Sequence, residues 1–481
     1  MAYADLNEFL EHLRGVGELK EIDEEIDPIL EIAEVADRVV KRGGPALLFR
    51  HPKGHRIPVL INTFGTEKRM CLALQTDSLD LVAARIHELL TPEIPEGMVG
   101  KLRALPKLTA LTHLQPRRVR SAACQEIVET SRPSLAGLPI LKCWPLDAGR
   151  FITLPLVITH DPENGTRNVG MYRLQEFDER TLGLHWQLHK GSAEHYRKAE
   201  ALGRRLEVAV VLGPDPALIY ASTAPLPDDV DELMLAGFLR RQTVDVVGCK
   251  TIDLEVPANA QIVLEGYAEP GERRMEGPFG DHTGFYSLAE PFPVFHLTAV
   301  TMRREPIYPA IIVGRPPMED GPMGTATVRL FLPAVRKVVP EIVDMHLPVE
   351  GIFHNLAIVS IRKRYPGQAR KVMHALWGLG QLMFTKIIII VDEDCNVHDP
   401  REVVWRVGTA IDPKRDVVIS DGPADHLDFA VDLLAYGGKL GIDATRKGPE
   451  EGFKREWPPE IRMSTEVTAR IDRLWSRLGL A

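Results

Sequence analysis

The densest chemistry in the chain lies in Met275-Glu276-Gly277-Pro278-Phe279-Gly280-Asp281-His282-Thr283-Gly284. Two carboxylates and a histidine sit there in a stretch too rich in Gly and Pro to be a regular element. Rigid loops that aim acidic groups commonly serve a site, although a tight hairpin alone gives the same pattern. Neighbouring carboxylates in a partly apolar site push one pKa upward, so one of Glu276 and Asp281 is expected to stay protonated and able to donate near neutral pH. A second segment, His185-Trp186-Gln187-Leu188-His189-Lys190-Gly191, collects side chains that stack, hydrogen-bond or bind a metal. A third, Arg167–Arg173, carries Asn168 and Arg173 five residues apart, on opposite faces of a strand unless the chain bends at Gly170. A fourth, Leu226–Glu232, is an acidic helix start in which Asp228 suits the helix dipole and Glu232 begins an apolar face. Taken singly, the last three read as a surface arginine, a structural histidine and a favourably charged helix end.

These groups need elements to hold them. At 481 residues the chain exceeds one ordinary core, which implies two or three domains. The first, residues 1–116, is read as α/β. It has a helix on Leu6, Phe9, Leu10 and Leu13, a second started by Asp27-Pro28, strands at Ala46–Arg50 and Ile57–Asn62, and a helix over Ser78–Leu90. It ends in the proline-punctuated stretch Pro92–Pro116. From 117 to 320 short β-rich runs broken by Gly and Pro predict a barrel or sandwich: Ile152–Thr159, Asn168–Glu176, Glu207–Leu212, Gln261–Tyr267, Val294–Thr301 and Ile307–Val313. A helix over Asp228–Arg241 interrupts them. From 321 to 481 strands and helices alternate, which implies a parallel sheet. Ala424–Trp457 reads as irregular, and Thr465–Leu478 as a terminal helix free to dock on another subunit.

Composition excludes several classes. A formal charge of -9 argues against nonspecific nucleic-acid binding, which needs a basic face. The five cysteines are scattered and form no C-x-x-C pair, so neither a disulfide framework nor a zinc ribbon is indicated. The start Met1-Ala2-Tyr3-Ala4-Asp5 lacks signal-peptide character, and the longest aliphatic run, Ile387 to Val391, is far short of a transmembrane span. A cytoplasmic protein with reduced thiols is expected. Nucleotide-loop, H-E-x-x-H and G-x-S-x-G patterns are absent from the sequence.

Together, in order, N-x-G-x-Y-R from Asn168, H-K-G from His189, L-P-D-x-x-x-E from Leu226 and E-G-P-F-G-D-H-T-G from Glu276 closely resemble the UbiD family of reversible decarboxylases. Gly314-Arg315-Pro316-Pro317 and Lys439 to Thr445 extend the resemblance over nearly the whole chain. It implies a central split β-barrel that binds prenylated flavin mononucleotide (prenylated FMN), between an N-terminal α/β domain and a C-terminal α/β domain with an oligomerisation helix. It implies that Asn168, His189 and Glu232 hold Mn2+ or Mg2+, and that Ala221, Ser222 and Ala224, with Glu232, hold K+. Cofactor contacts carry over to Met171, Tyr172, Arg173, His185, Trp186, Gln187, Lys190 and Gly191, with Lys439 nearby. The catalytic trio carries over to Arg173, Glu276 and Asp281: Arg173 to pair with the substrate carboxylate, Glu276 to orient Arg173, Asp281 to protonate the carbon. A separate flavin prenyltransferase would supply the cofactor, and family members are homodimers or homohexamers. Where ubiquinone-pathway members read R-W-x-S-H-R-G-G, this chain reads His185 to Ser192. That run, with Asn168–Gln175 and Glu451–Trp457, is more similar to the menaquinone-biosynthesis branch and points to a naphthoate-type acid. A 3-polyprenyl-4-hydroxybenzoate, another hydroxyarenoate, a cinnamate-like acid, and a non-catalytic flavin-binding assembly subunit are the alternatives.

Overall fold

The structure, a computed structural model, describes residues 2–90, 114–227 and 230–480. Most of Pro92–Pro116, and Asp228, therefore lie outside the described residues. In the N-terminal unit, helix Leu6–Gly15 is capped by Asp5, which accepts from the Glu8 amide, and it buries Leu6, Phe9, Leu10 and Leu13. The second helix is Glu31–Val40 and begins later than Asp27-Pro28 suggests. Asp27 Oδ1 instead accepts from the Ile29 amide at 2.8 Å, and the helix is entered through Leu30 at φ 72° without a side-chain cap. Strands Leu19–Ile22, Ala46–Phe49 and Val59–Ile61 form a sheet whose fourth member is Tyr308–Pro309, with Tyr308 opposite Val59. The run expected as a central strand at Ile307–Val313 is thus shorter and belongs to the N-terminal sheet.

The central unit is a nine-stranded antiparallel sheet. Its path runs Phe151–Ile152, Leu174–Asp178, Thr181–Leu184, Glu290–Met302, Ile262–Glu276, Leu206–Leu212, Pro155–His160 and Arg167–Gly170, with Ile127–Glu129 on Glu290–Met302. Among the described residues no pairing joins its two end strands, so the path is not a closed barrel. Strand Leu206–Leu212 shows why its sequence is apolar from Val208 onward. Ala209 and Val211 pack into one core cluster, while Val208, Val210 and Leu212 pack into the other. A strand covered on both faces has no solvent side to make polar, and each such Val or Leu contributes roughly 1.5–3 kcal/mol relative to exposure. The expected helix is Glu232–Arg240, capped by Asp231 rather than begun at 228.

The C-terminal unit is a five-stranded sheet in the order Ile342–His346, Leu356–Ile361, Ile387–Asp392, Tyr436–Asp443, Val417–Pro423. The three middle strands are parallel, as the alternation of strands and helices predicts. Both edges are antiparallel, and Tyr436–Asp443 comes from the stretch expected to be irregular. Helix Asp320–Val338, unanticipated, packs on helices Glu67–Ala73 and Leu79–Leu90 of the N-terminal unit and on strand Ile342–His346. The terminal helix Thr465–Leu474 is capped by Ser464, and Val467, Ile471 and the following Trp475 are exposed.

Candidate active site

The strand carrying Asn168 ends at Gly170, and the chain resumes as Leu174–Asp178, so Asn168 and Arg173 sit on different elements rather than opposite faces of one strand. Arg173 occupies the connection. Leu174–Asp178 pairs with Thr181–Leu184, which delivers His185 next to Arg173, the His185 amide donating to the Arg173 carbonyl at 3.3 Å. The long strand Ile262–Glu276 brings up the third group, ending with Glu276 opposite Glu290.

These elements converge on the Arg173 guanidinium. Its Nε donates to Glu276 Oε1 at 2.8 Å, and its Nη2 donates to Glu276 Oε2 at 3.2 Å and to Ser287 Oγ at 3.1 Å. Its Nη1 donates to Asp281 Oδ2. Below it lies the Phe279 ring, 4.6 Å from the guanidinium carbon. His185 Nδ1 meets Glu276 Oε2 at 3.0 Å, and the Glu276 side chain is fully buried. All three catalytic candidates therefore share one hydrogen-bonded cluster.

The loop after Glu276 is fixed by residues that no motif announces. Asp147 Oδ1 accepts from the Gly280 amide at 2.8 Å, and its Oδ2 accepts from the Cys143 and Trp144 amides at 3.1 and 2.8 Å. Gln175 Oε1 accepts from the Gly277 amide at 2.7 Å, and Ser287 Oγ from the Phe279 amide at 3.1 Å. A Cβ at position 280 would stand 2.2 Å from Trp144 Cδ1, so only glycine passes there. Lone polar residues such as Asp147, Gln175 and Ser287 carry no spacing signal, and only the fold shows their role.

The electrostatics overturn one expectation. Glu276 and Asp281 do not raise each other's pKa, because Arg173 stands between them. Burial favours the neutral form of Glu276, but Arg173 and His185 outweigh it and pull the pKa down to about 2. Burial likewise opposes ionisation of Asp281, and Arg173 and His282 outweigh it, holding the carboxyl well below its usual range. Both are carboxylates at neutral pH. His185, buried and beside Arg173, has a lowered pKa and is neutral there.

Next to this cluster lie the expected metal and cofactor residues. Asn168 Nδ2 donates to Ser192 Oγ at 3.0 Å and to the Tyr172 hydroxyl at 3.3 Å, and Glu232 Oε2 accepts from the Val169 amide at 2.9 Å. The amide of Met171 donates to the Ser222 carbonyl at 3.2 Å, placing the Ala221–Ala224 turn against the same strand end. Gly191 packs so close that a Cβ would lie 2.2 Å from Asn168 Oδ1. His189 is exposed with its ring 5.4 Å from Phe384, and among the described residues it hydrogen-bonds to neither Asn168 nor Glu232. Gln187 Nε2 lies 3.5 Å from His185 Nε2. Lys439 is buried and spends its ammonium on the Met383 and Thr385 carbonyls at 2.6 and 3.1 Å, beside Phe384.

Several of these groups are left wanting a partner. Burial pushes Glu232 up to about 7, with no cation hydrogen-bonded to it among the described residues. Burial lowers the Lys190 pKa, and its ammonium has no hydrogen-bond acceptor among the described residues. The Trp186 indole nitrogen is buried without an acceptor among the described residues. A buried carboxylate lacking a cation, and a desolvated ammonium lacking an anion, fit a metal ion and a phosphate-bearing cofactor.

Two groups of the C-terminal unit, His354 and Asp425, face His282, the neighbour of Asp281. One nitrogen or oxygen atom from each of His282, His354 and Asp425 lies within 4.8 Å of the others. His354 Nε2 stands 3.1 Å from Asp425 Oδ2, and the adjacent His426 Nε2 meets Glu290 Oε2 at 2.7 Å.

Comparison with known proteins places this architecture. Three family descriptions match in order: the N-terminal domain of 3-octaprenyl-4-hydroxybenzoate carboxy-lyase over residues 10–89, its Rift-related domain over 117–316, and its C-terminal domain over 322–444. The chain belongs to the UbiD family. An uncharacterized protein of Archaeoglobus fulgidus is 54% identical over 480 residues, covering 99% of both chains. An evolved dimeric form of the UbiD-class enzyme HmfF from Pelotomaculum thermopropionicum, solved with prFMN, is 32% identical with a TM-score of 0.79, covering 97% of this chain and 100% of that one. Vanillic acid decarboxylase of Sedimentibacter hydroxybenzoicus in closed form is 27% identical with a TM-score of 0.87, covering 99% of each.

Proposed function

We propose that the protein is a carboxy-lyase that removes carbon dioxide from an aromatic carboxylic acid, using prenylated FMN. The observation that carries the reading is Arg173 held between Glu276 and Asp281, a buried cation whose second guanidinium edge is bonded to a group that can be displaced. Membership of the UbiD family and likeness to HmfF solved with prFMN support it.

In this reading Glu276 fixes Arg173 through two hydrogen bonds, and the substrate carboxylate competes with Asp281 for the guanidinium. Bound prenylated FMN supplies the electron sink that carbon needs when the bond to carbon dioxide breaks. Asp281 then gives the carbon a proton. Asn168, His189 and Glu232 would hold Mn2+ or Mg2+, the carbonyls around Ala221, Ser222 and Ala224 would hold K+, and Lys190 and Trp186 would offer donors to the cofactor. His189 would have to leave Phe384 to join the other ligands.

The substrate is assigned to the naphthoate-type class on Asn168–Gln175, His185–Gly191 and Glu451–Trp457, with a polyprenyl-hydroxybenzoate as the runner-up. The same proposal includes the split-barrel description, a cytoplasmic setting, a flavin prenyltransferase as cofactor supplier and oligomerisation through the terminal helix. No helix among the described residues is long and apolar enough to cross a membrane. A panel of aromatic carboxylates, screened for carbon dioxide release by protein made alongside a flavin prenyltransferase, tests the reading. Release without any bound flavin, or no release and no exchange with labelled bicarbonate, contradicts it.

A further inference from the structure

One proton must reach the substrate carbon in each turnover, yet Asp281 is held as a carboxylate and has none to give. Two side chains bond that carboxylate. Arg173 keeps its protons at every accessible pH, which leaves His282. His282 donates twice to Asp281 Oδ1, from its amide at 2.7 Å and from ring Nδ1 at 2.8 Å. Because the carboxylate only accepts, Nδ1 must carry the hydrogen.

The other ring nitrogen, Nε2, is buried without a hydrogen-bond partner among the described residues. The His354 ring stands 5.3 Å away and the Phe353 ring 5.6 Å away, centroid to centroid. The charged groups facing His282 come from every neighbouring element. Asp281 is on its own loop, Asp320 at the start of helix Asp320–Val338, and Asp425 beyond strand Val417–Pro423. His354 opposes them, its own pKa lowered by burial and by the neighbouring His282 and Lys190. Burial disfavours the imidazolium, but these acids outweigh it and raise the pKa of His282.

We propose that His282 is the proton store of the reaction, a positioning residue that acts through Asp281, held in place by His354 and Asp425 of the C-terminal unit. The proposal rests on the reading of Asp281 given above. The Nδ1–H bond of the imidazolium breaks as an O–H bond forms on Asp281 Oδ1, leaving a neutral ring protonated on Nε2. The Asp281 O–H bond then breaks, and the electron pair left by carbon dioxide forms the new C–H bond. Solvent returns one proton to the ring. Displacement of Asp281 from Arg173 by the substrate carboxylate triggers the first transfer, because the displaced carboxylate becomes the stronger base.

The test uses full-length protein with matured cofactor, comparing wild type with His282→Gln, His282→Ala, His354→Gln and Asp281→Asn, and the cofactor absorbance reports folding in each. His282→Gln is expected to lower kcat about 100-fold with KM within about twofold. Wild-type kcat stays level at low pH and falls as pH rises through the raised imidazole value. In His282→Gln it falls about tenfold per pH unit from the acidic end, since Asp281 then draws protons only from solvent. His354→Gln keeps the store but loosens it, so its alkaline limb moves to a different pH. Free imidazole restores turnover to His282→Ala. A wild-type rate and pH profile in His282→Gln, with Asp281→Asn inactive, overturns the proposal and leaves Asp281 in place. Full turnover in Asp281→Asn overturns the reading of Asp281 and the proposal with it.

Discussion

Arg173 and Glu276, 103 residues apart in sequence, are joined by two hydrogen bonds of 2.8 and 3.2 Å in a pocket where the Glu276 side chain has no solvent exposure. Removing one partner leaves the other charge buried and uncompensated, which typically costs about 3–5 kcal/mol. Glu276→Gln keeps the shape and loses the charge. It is expected to lower the thermal midpoint and to cut kcat by more than about 100-fold, because Arg173 is no longer fixed. Unfolding by heat and single-turnover kinetics check the two effects separately.

The same residue predicts a pH dependence. Its pKa falls from the ordinary glutamate value of 4.5 to about 2 on folding, because Arg173 and His185 outweigh burial, so the native state favours the carboxylate. That stabilisation is fully present above about pH 4.5 and is lost as pH falls toward 2. Its size is about 3 kcal/mol, from roughly 1.4 kcal/mol per pKa unit. Acid unfolding of Glu276→Gln, compared with wild type, should show a shallower loss of stability across that window.

Gly280→Ala tests the loop. The new Cβ would stand 2.2 Å from Trp144 Cδ1, and Trp144 is tied down by its indole, which donates to the Val313 carbonyl at 2.9 Å. The loop must therefore move, carrying Asp281 with it. Turnover is expected to fall about 100-fold while flavin binding persists, measured as kcat against bound-cofactor absorbance.

Glu232→Gln separates cofactor retention from chemistry. Its carboxylate is buried without a cation, so the amide should fold well while holding metal at least about tenfold more weakly. Metal content and flavin occupancy after dialysis check this. Full occupancy in the variant would remove Glu232 from the ligand set.

The terminal helix exposes Val467, Ile471 and Trp475 at helical spacing. If it docks on another subunit, Ile471→Lys shifts the mass in solution toward the monomer without altering the Arg173 cluster, which light scattering reads directly.

Much of the site was legible because its groups come in short dense runs. Asn168 to Arg173, His185 to Gly191 and Glu276 to Gly284 each hold several chemical residues together, and family resemblance joined runs that lie a hundred residues apart. His354, Asp425, Asp147 and Ser287 stand alone among ordinary neighbours: the fold of the central unit gives Asp147 and Ser287 their role, and the packing of the C-terminal unit on it gives His354 and Asp425 theirs. Helix Asp320–Val338 was hidden by Gly321, Gly324 and Pro333, which read as breakers, yet it is kept helical by burying Met323, Ala326, Leu330 and Leu332. Tyr436–Asp443 was hidden by three glycines and becomes a strand because Ile387–Asp392 and Val417–Pro423 pair with it on both sides. The misjudged carboxylate pKa had a single cause: Arg173 lies between Glu276 and Asp281, a position that no spacing reveals.

Decarboxylation through Asp281 with a bound modified flavin is open to one decisive comparison. The most direct measurement is carbon dioxide release from a naphthoate-type acid by wild-type protein and by Asp281→Asn, each carrying the matured cofactor. Release by wild type and a loss of more than about 100-fold in the variant are expected, with flavin absorbance unchanged. Equal release by the two proteins would contradict decarboxylation through Asp281.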